Sequence, residues 1–343
     1  MAHILIIFCC LFSTISAAVV QEKVLICGIC KNVEKAVPNT IRSVQELGAQ
    51  FLDYQVVIYE NNSTDKTKEL FQEWAKNNRH VIFISEDLPK KKMARELAMK
   101  VFNRPEALAR ARNKVLDVAM QDKYKDYKYV IWADLDFLDK WDIANIIDTI
   151  VHPEQEWDAV LANGAYDLFA FRDPEFPIGF ELIGDKYWQQ LNELRSRFTL
   201  NPQDPWRKVY SAFGGLGIYK REALIGCRYS GVVTKDLEKV VASWTEKANE
   251  TKEVCFLNEY KQLLATAQII DLRQDRLSNR KQLPDEIGVR MQNGNGLGKI
   301  VWFSCTRKRT LPWTCEHIPL HASMILHGHD KIFVNPRLIS NHP

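Results

Sequence analysis

Two aspartates one residue apart close an apolar run, where Tyr129-Val130-Ile131-Trp132-Ala133 leads into Asp134-Leu135-Asp136-Phe137. The run reads as a buried strand, and strand alternation sends both carboxylates to the same side. Two hard oxygen donors so placed suit a divalent cation shared with substrate phosphates, although a strand-ending turn with solvated carboxylates has the same composition. A second polar loop, Glu60-Asn61-Asn62-Ser63-Thr64-Asp65, also follows an apolar run. Its carboxylates suit ribose hydroxyls and a base N–H; equally, it suits an Asx-turn with a helix N-cap at Ser63 or Thr64.

Basic residues crowd the stretch before the acidic pair. Lys90, Lys91, Lys92, Arg95, Lys100, Arg104, Arg110, Arg112 and Lys114 stand against Glu96 and Glu106, in a chain whose formal net charge is only +3. That overall charge gives no field for nucleic acid, so any basic site is local. Lys90 to Lys92 read as a solvated face, whereas Arg112-Asn113, beside the apolar positions of a helix, is the better phosphate clamp. Near the end stands Cys315-Glu316-His317-Ile318-Pro319-Leu320-His321. Cys305, Cys315, His317 and His321 match no standard zinc spacing; a Cys305–Cys315 disulfide or purely structural histidines are the other readings. Trp188 and Trp206 could stack on sugar rings or simply pack.

The elements that must position these groups alternate between strand and helix. Strands are expected at 24–30, 55–59, 81–85 and 129–133, and helices at 37–52, 66–77 and 106–121. Such alternation argues for a parallel sheet covered on both faces, where ligands bind at the carboxyl ends of strands. Beyond residue 150 the alternation weakens, with extended pieces at 159–163 and 210–219 and helices at 186–198 and 257–266. The Gly294-Asn295-Gly296-Leu297-Gly298 stretch reads as a loop, since neither strand nor helix flanks it.

At 343 residues, 46% hydrophobic and 26% charged, the chain can bury a large core. Eight cysteines are too sparse for a disulfide scaffold. The apolar run from Ile4 to Val20 ends in Ser16-Ala17-Ala18, a small-x-small pattern, but lacks a basic n-region. Residues 1–20 are therefore expected to be a signal peptide or, uncleaved, a type II membrane anchor. Sequons stand at Asn61, Asn62 and Asn249, and a glycan on either of the first two would block the polar loop.

Taken together, Cys27-Gly28-Ile29-Cys30-Lys31-Asn32, Glu60 to Asp65, Ala111-Arg112-Asn113 and Asp134-Leu135-Asp136 resemble the GT-A glycosyltransferases, and within them the fungal capsule-associated alpha-mannosyltransferases. The likeness spans roughly residues 23–230. It implies an α/β, GT-A-like (Rossmann-like) fold: a mixed, mostly parallel sheet flanked by helices in a single large domain. Residues 21–150 would form the nucleotide-sugar-binding half and 151–343 the acceptor-binding and C-terminal part. Asp134 and Asp136 would hold Mn2+ or Mg2+ against the diphosphate of a GDP- or UDP-sugar donor, with Asp136 acting in catalysis.

The same resemblance implies further roles. Glu60 and Asp65 would face the nucleoside, with Cys30 and Asn62 on the same two loops, and Arg112 would lie near the phosphates. Gly214 and Gly215 would let backbone approach the bound sugar and a glycan or glycoconjugate acceptor. His317 or His321 would complete the metal site, and Glu316 would act as general base or orient the acceptor. Rival readings are an inactive GT-A-like carbohydrate-binding protein and a sugar-nucleotide pyrophosphorylase. The latter lacks its glycine-rich, Arg-bearing loop here, since only Gly28 stands after the first strand. A hydrolase lacks GxSxG and HExxH. A donor-using enzyme with such a leader belongs in an ER or Golgi lumen or is secreted; in a bacterium the leader would be an inner-membrane anchor.

Overall fold

The computed structural model describes residues 19–88, 104–151, most of 153–179, 200–251, 267–268, 290–291 and 314–339. Several expectations lie outside those residues: most of the N-terminal run, the basic residues 90–100, the helices at 186–198 and 257–266, Trp188, Cys305 and the 294–298 loop.

The apolar run at 24–30 forms most of β1 (Val20–Cys30). Val24, Leu25, Ile26 and Cys27 are buried because helices cover the sheet on both faces. Parallel to β1 on either side lie β2 (Phe51–Asn61) and β4 (Tyr127–Ala133), and β3 (Val81–Glu86) extends the parallel run beyond β2. On the other side β7 (Leu216–Lys220) runs antiparallel between β4 and β5 (Ala159–Ala162). Parallel to β5 runs β10 (Ile332–Asn335), and the two-residue β6 (Arg207–Lys208) closes that edge. The eight-stranded order is β3-β2-β1-β4-β7-β5-β10-β6, a mixed and mostly parallel sheet as expected. Two short strands, β8 (Ala267–Gln268) and β9 (Arg290–Met291), pair separately.

Helices α1 (Val37–Gly48), α2 (Thr67–Asn77) and α4 (Ile143–Val151) bury Val44, Phe71 and Ile146 against one face. Against the other pack α3 (Arg104–Ala119), α5 (Lys235–Thr251) and α6 (His317–Leu326), through Val115, Leu237 and Ile318. Residues His317 to Met324 of α6 are all buried, and His321 lies between Ser211 Oγ at 2.9 Å and the Tyr219 hydroxyl at 3.0 Å. Burial holds its imidazole down to about 3, so His321 is neutral, and both of its ring nitrogens are engaged by the two hydroxyls. Among the described residues no helix is long and apolar enough to cross a membrane.

Four local expectations need correction. The helix expected at 37–52 stops at Gly48, since the chain turns there to start β2 at Phe51, and Tyr54 packs so close to Gly48 that a Cβ would sit 2.6 Å from its ring. Helix α2 begins at Thr67 with no side-chain cap from Ser63 or Thr64; the Asp65 carboxylate instead accepts the Thr67 N–H at 3.0 Å. The extended piece at 210–219 is a strand only from Leu216, since Gly214 and Gly215 take φ of 62° and 83°. Val20, assigned by sequence to the N-terminal run, is the first residue of β1 and is buried.

Gly28 sits where Leu135 crosses β1, and a Cβ there would lie 2.6 Å from Leu135 Cγ. Gly28→Ala is expected to cost about 1–3 kcal/mol of stability through this overpacking. Urea unfolding checks it, and adding Leu135→Ala should recover part of the loss.

Candidate active site

The carboxyl ends of the parallel strands and the start of antiparallel β7 lie at one sheet edge, which gathers the loops after Cys30, Asn61, Ala133 and Ala162 beside Gly215. The loop after β4 is stapled there. Asp134 N–H donates to the Gly215 carbonyl at 2.8 Å. From α1, Thr40 Oγ1 donates to the Leu135 carbonyl, Asn39 Nδ2 to the Phe137 carbonyl, and Ser43 Oγ accepts the Trp141 N–H. Leu135 is buried toward Gly28 while Asp134 and Asp136, on either side of it, keep partial exposure.

Beneath Asp134 lies Arg112, only 4% exposed. Its Nη2 is 3.3 Å from Asp134 Oδ1 and its Nε 3.1 Å from Glu316 Oε1. The guanidinium also stacks near Phe213, Trp132 and Tyr229, with its carbon 4.7, 5.5 and 5.8 Å from the ring centres. Asn113 fixes this part of α3 by exchanging two hydrogen bonds with the Tyr229 backbone. Burial raises the Asp134 carboxyl, Arg112 opposes that, and Asp136 and Glu316 add to it, leaving it above the usual range. Of the other basic residues expected near phosphate, Arg110 and Lys114 are drawn to Glu86 at the end of β3, at 2.7 and 3.4 Å.

The loops after β1 and β2 clasp one another. Asn32 and Asn62 both take the left-handed conformation, each at φ 55°. Ser63 Oγ accepts the Asn32 N–H, Asn32 Oδ1 accepts the Thr64 N–H, and Thr67 Oγ1 accepts the Val33 N–H at 2.7 Å. Asp65 accepts from the Glu34 and Thr67 N–H groups; burial works the other way, but these bonds hold its carboxyl below the usual range. Glu60, expected to face the nucleoside, is instead turned inward. It is fully buried, with one oxygen accepting the Ser63 N–H at 2.7 Å and the other the Ser85 hydroxyl at 2.6 Å. Asn62 Oδ1 accepts the Leu88 N–H, which ties the loop to the end of β3. Cys30 is a buried free thiol, pushed up by burial and by Glu60, Asp65 and Asp136.

One C-terminal assignment changes. Glu316 is buried and committed to Arg112, so it positions the guanidinium and is not a general base open to an acceptor. His317 stacks on Phe213 with centroids 4.0 Å apart and meets Tyr229 edge-on. Burial, Arg112 and His321 hold its imidazole well below its ordinary pKa, and both of its ring nitrogens are buried without a hydrogen-bond partner. Among the described residues no three His, Cys, Asp or Glu side chains converge as a metal cage. Cys315 is buried, and Cys305, its partner in the disulfide reading, lies outside the described residues. Trp206 is half-buried and packs near Phe333.

One carboxylate at this edge escaped the sequence reading. Asp167 follows β5 and lines a small recess of about 20 Å3 with Asn163, Gly164, Phe213 and Gly214. Gly164 and Gly214 touch there so closely that a Cβ on Gly164 would sit 2.5 Å from Gly214 Cα. Burial, Glu316 and Asp134 push the Asp167 carboxyl up to about 8, with Arg112 opposing. A lone Asp after Tyr166 carries no motif, and only the topology brings it beside Asp134.

Comparison with known proteins adds a family. Residues 23–260 match the family model described as Cryptococcal mannosyltransferase 1. No curated protein matches. Among solved structures, the mannosyltransferase PcManGT from Pyrobaculum calidifontis, in complex with GDP-Man and Mn2+, is 16% identical over 68% of this chain and 54% of its own, with a TM-score of 0.32. This chain thus spans about half the length of that protein. Glucosyl-3-phosphoglycerate synthase from Mycobacterium tuberculosis, with UDP, is 14% identical over 68% and 69%, at a TM-score of 0.33. Mannosyl-3-phosphoglycerate synthase from Rubrobacter xylanophilus is 15% identical over 68% and 64%, at 0.35. Because the family model covers more than half of the residues, including both aspartates and Arg112, the chain belongs to the cryptococcal mannosyltransferase family of glycosyltransferases.

Proposed function

We propose that the chain transfers a hexose, mannose in the first instance, from a GDP- or UDP-linked donor to a hydroxyl of a glycan or glycoconjugate. The observation that carries this reading is the acidic pair at the sheet edge, stapled to α1 and Gly215 and braced by buried Arg112. Two hard carboxylates, with no third protein ligand gathered among the described residues, fit a divalent ion that takes its remaining oxygens from diphosphate and water. Asp134 and Asp136 would hold Mn2+ or Mg2+, which when bound supplies positive charge against the leaving diphosphate. Arg112 fixes Asp134 from below, and the clasped loops carrying Cys30, Asn62 and Asp65 form the nucleoside wall, with Glu60 as its internal brace. Gly214 and Asp167 line a recess sized for one hydroxyl, where the acceptor oxygen would sit. The apolar run that opens the sequence would serve as a leader, and it is what supports a secretory location.

Incubating the protein with GDP- and UDP-sugars and Mn2+ should release nucleoside diphosphate, and EDTA should stop it. Asp134→Ala and Asp136→Ala are each expected to lower that release by about 10²–10³-fold, the scale of losing one electrostatic contact to the reacting charge. Normal turnover in both variants would refute the metal-site reading.

Arg112→Met leaves Glu316 buried without its counter-charge and should cost about 3–5 kcal/mol of stability. The double variant Arg112→Met/Glu316→Leu should regain much of it in urea unfolding while donor turnover stays low.

Asp167 adds a pH signature. Its folded carboxyl titrates at about 8, above the unfolded value near 3.9, so the folded state holds an extra proton between those pH values. Its contribution to stability is complete below about pH 4 and is lost as pH rises through 8. Unfolding free energies of the metal-free protein should therefore show Asp167→Asn gaining on the wild type steadily from pH 4 to 8. A flat difference would contradict the burial of this carboxyl.

A further inference from the structure

The recess that Asp167 lines shares two of its walls with the candidate site. Phe213 lines it and also carries the Arg112 guanidinium, whose carbon lies 4.7 Å from the ring centre. Gly214 lines it too, and the carbonyl of the next residue, Gly215, accepts the Asp134 N–H at 2.8 Å. Site and recess therefore stand at one sheet edge, on the face that Phe213 and α3 cover.

Short contacts fix the frame. The Asp167 N–H donates to the Gly164 carbonyl at 3.2 Å, and the Asn163 amide bridges the carbonyls of Leu200 and Pro336 at 2.9 and 3.1 Å. A Cβ on Gly214 would lie 2.5 Å from the Ala162 carbonyl oxygen, so no bulkier residue fits that wall. The space of about 20 Å3 that remains takes one water-sized oxygen, since a single water needs roughly 10–15 Å3.

Asp167 has hydrogen-bonding capacity to spare there. It is half-buried, and among the described residues no side chain donates to its carboxyl group, which the Ala170 N–H approaches from the turn beyond. Burial and the neighbouring carboxylates of Glu316 and Asp134 favour its uncharged form, against the pull of Arg112. An uncharged carboxyl offers a donor and an acceptor, the complement of an alcohol. An anionic group would instead face three carboxyls and a guanidinium already shared by two of them. We propose that Asp167 sets acceptor specificity by exchanging hydrogen bonds with one sugar hydroxyl seated in this recess. That the hydroxyl belongs to an acceptor sugar rests on the transferase reading; that the recess holds a hydroxyl does not.

Direct binding to the full chain, without donor or metal, tests this. Methyl α-D-mannopyranoside, methyl α-D-glucopyranoside and methyl β-D-galactopyranoside are titrated by calorimetry, and the best binder is compared with its monodeoxy analogues. One analogue should bind about tenfold more weakly than its parent, the scale of one net hydrogen bond. Asp167→Leu and Asp167→Ala should each weaken the parent about tenfold and leave that analogue unchanged. Asp167→Asn, which keeps a donor and an acceptor, should preserve the preference. A purely structural role would weaken parent and analogue alike, and that result overturns the proposal. So does binding of none of the three glycosides, a full set of analogues equal to the parent, or a preference that survives in Asp167→Leu or Asp167→Ala. The expected pattern in a protein that releases no nucleoside diphosphate from any sugar nucleotide would uphold the hydroxyl site and sink the transferase reading, so the two failures are told apart.

Discussion

The arrangement depends on a buried positive charge. A guanidinium cannot shed its proton in a protein interior, so Arg112 must be met by carboxylates wherever the fold puts it. It finds Glu316 on one side and Asp134 on the other, and three aromatic rings wrap its faces. The pairing makes Asp134 part of the core's electrostatics as well as part of the edge. It also makes α6, at the far end of the chain, a structural component of a site that the first half otherwise supplies.

Around that charge, rigidity is built with short polar side chains. Asn39, Thr40 and Ser43 on one face of α1 pin the backbone of the acidic loop, while Asn32, Ser63, Asp65 and Thr67 knit the two neighbouring loops together. Each bond contributes modestly alone, but together they leave the loops little freedom to rearrange. Glu60 shows the cost of such order: a carboxylate at the strand end is consumed internally so that the turn beyond it holds one shape.

Much of this could be read from residue patterns. Unbroken apolar runs located β1 and β4, and helical spacing located α1, α2 and α3, because burial on both faces or along one stripe leaves a period in the chain. The acidic pair was legible for the same reason, standing where such a run ends. Helix α6 was not, since His317 to Met324 are buried all round and no polar stripe marks the period. Nor could spacing show that Glu60 turns inward, that His317 stacks on Phe213, or that Asp167 approaches Asp134. Those facts depend on contacts between segments tens to hundreds of residues apart, which no local pattern encodes.

Arg112 and Glu316 are 204 residues apart in sequence. During synthesis Asp134 follows the arginine closely but Glu316 comes much later, so until then the nascent sheet holds a buried cation with one of its two carboxylates. Closure of the core on this face is thereby deferred until α6 emerges, and a prematurely terminated chain would expose the apolar surface that α6 covers, which chaperones and proteases act on.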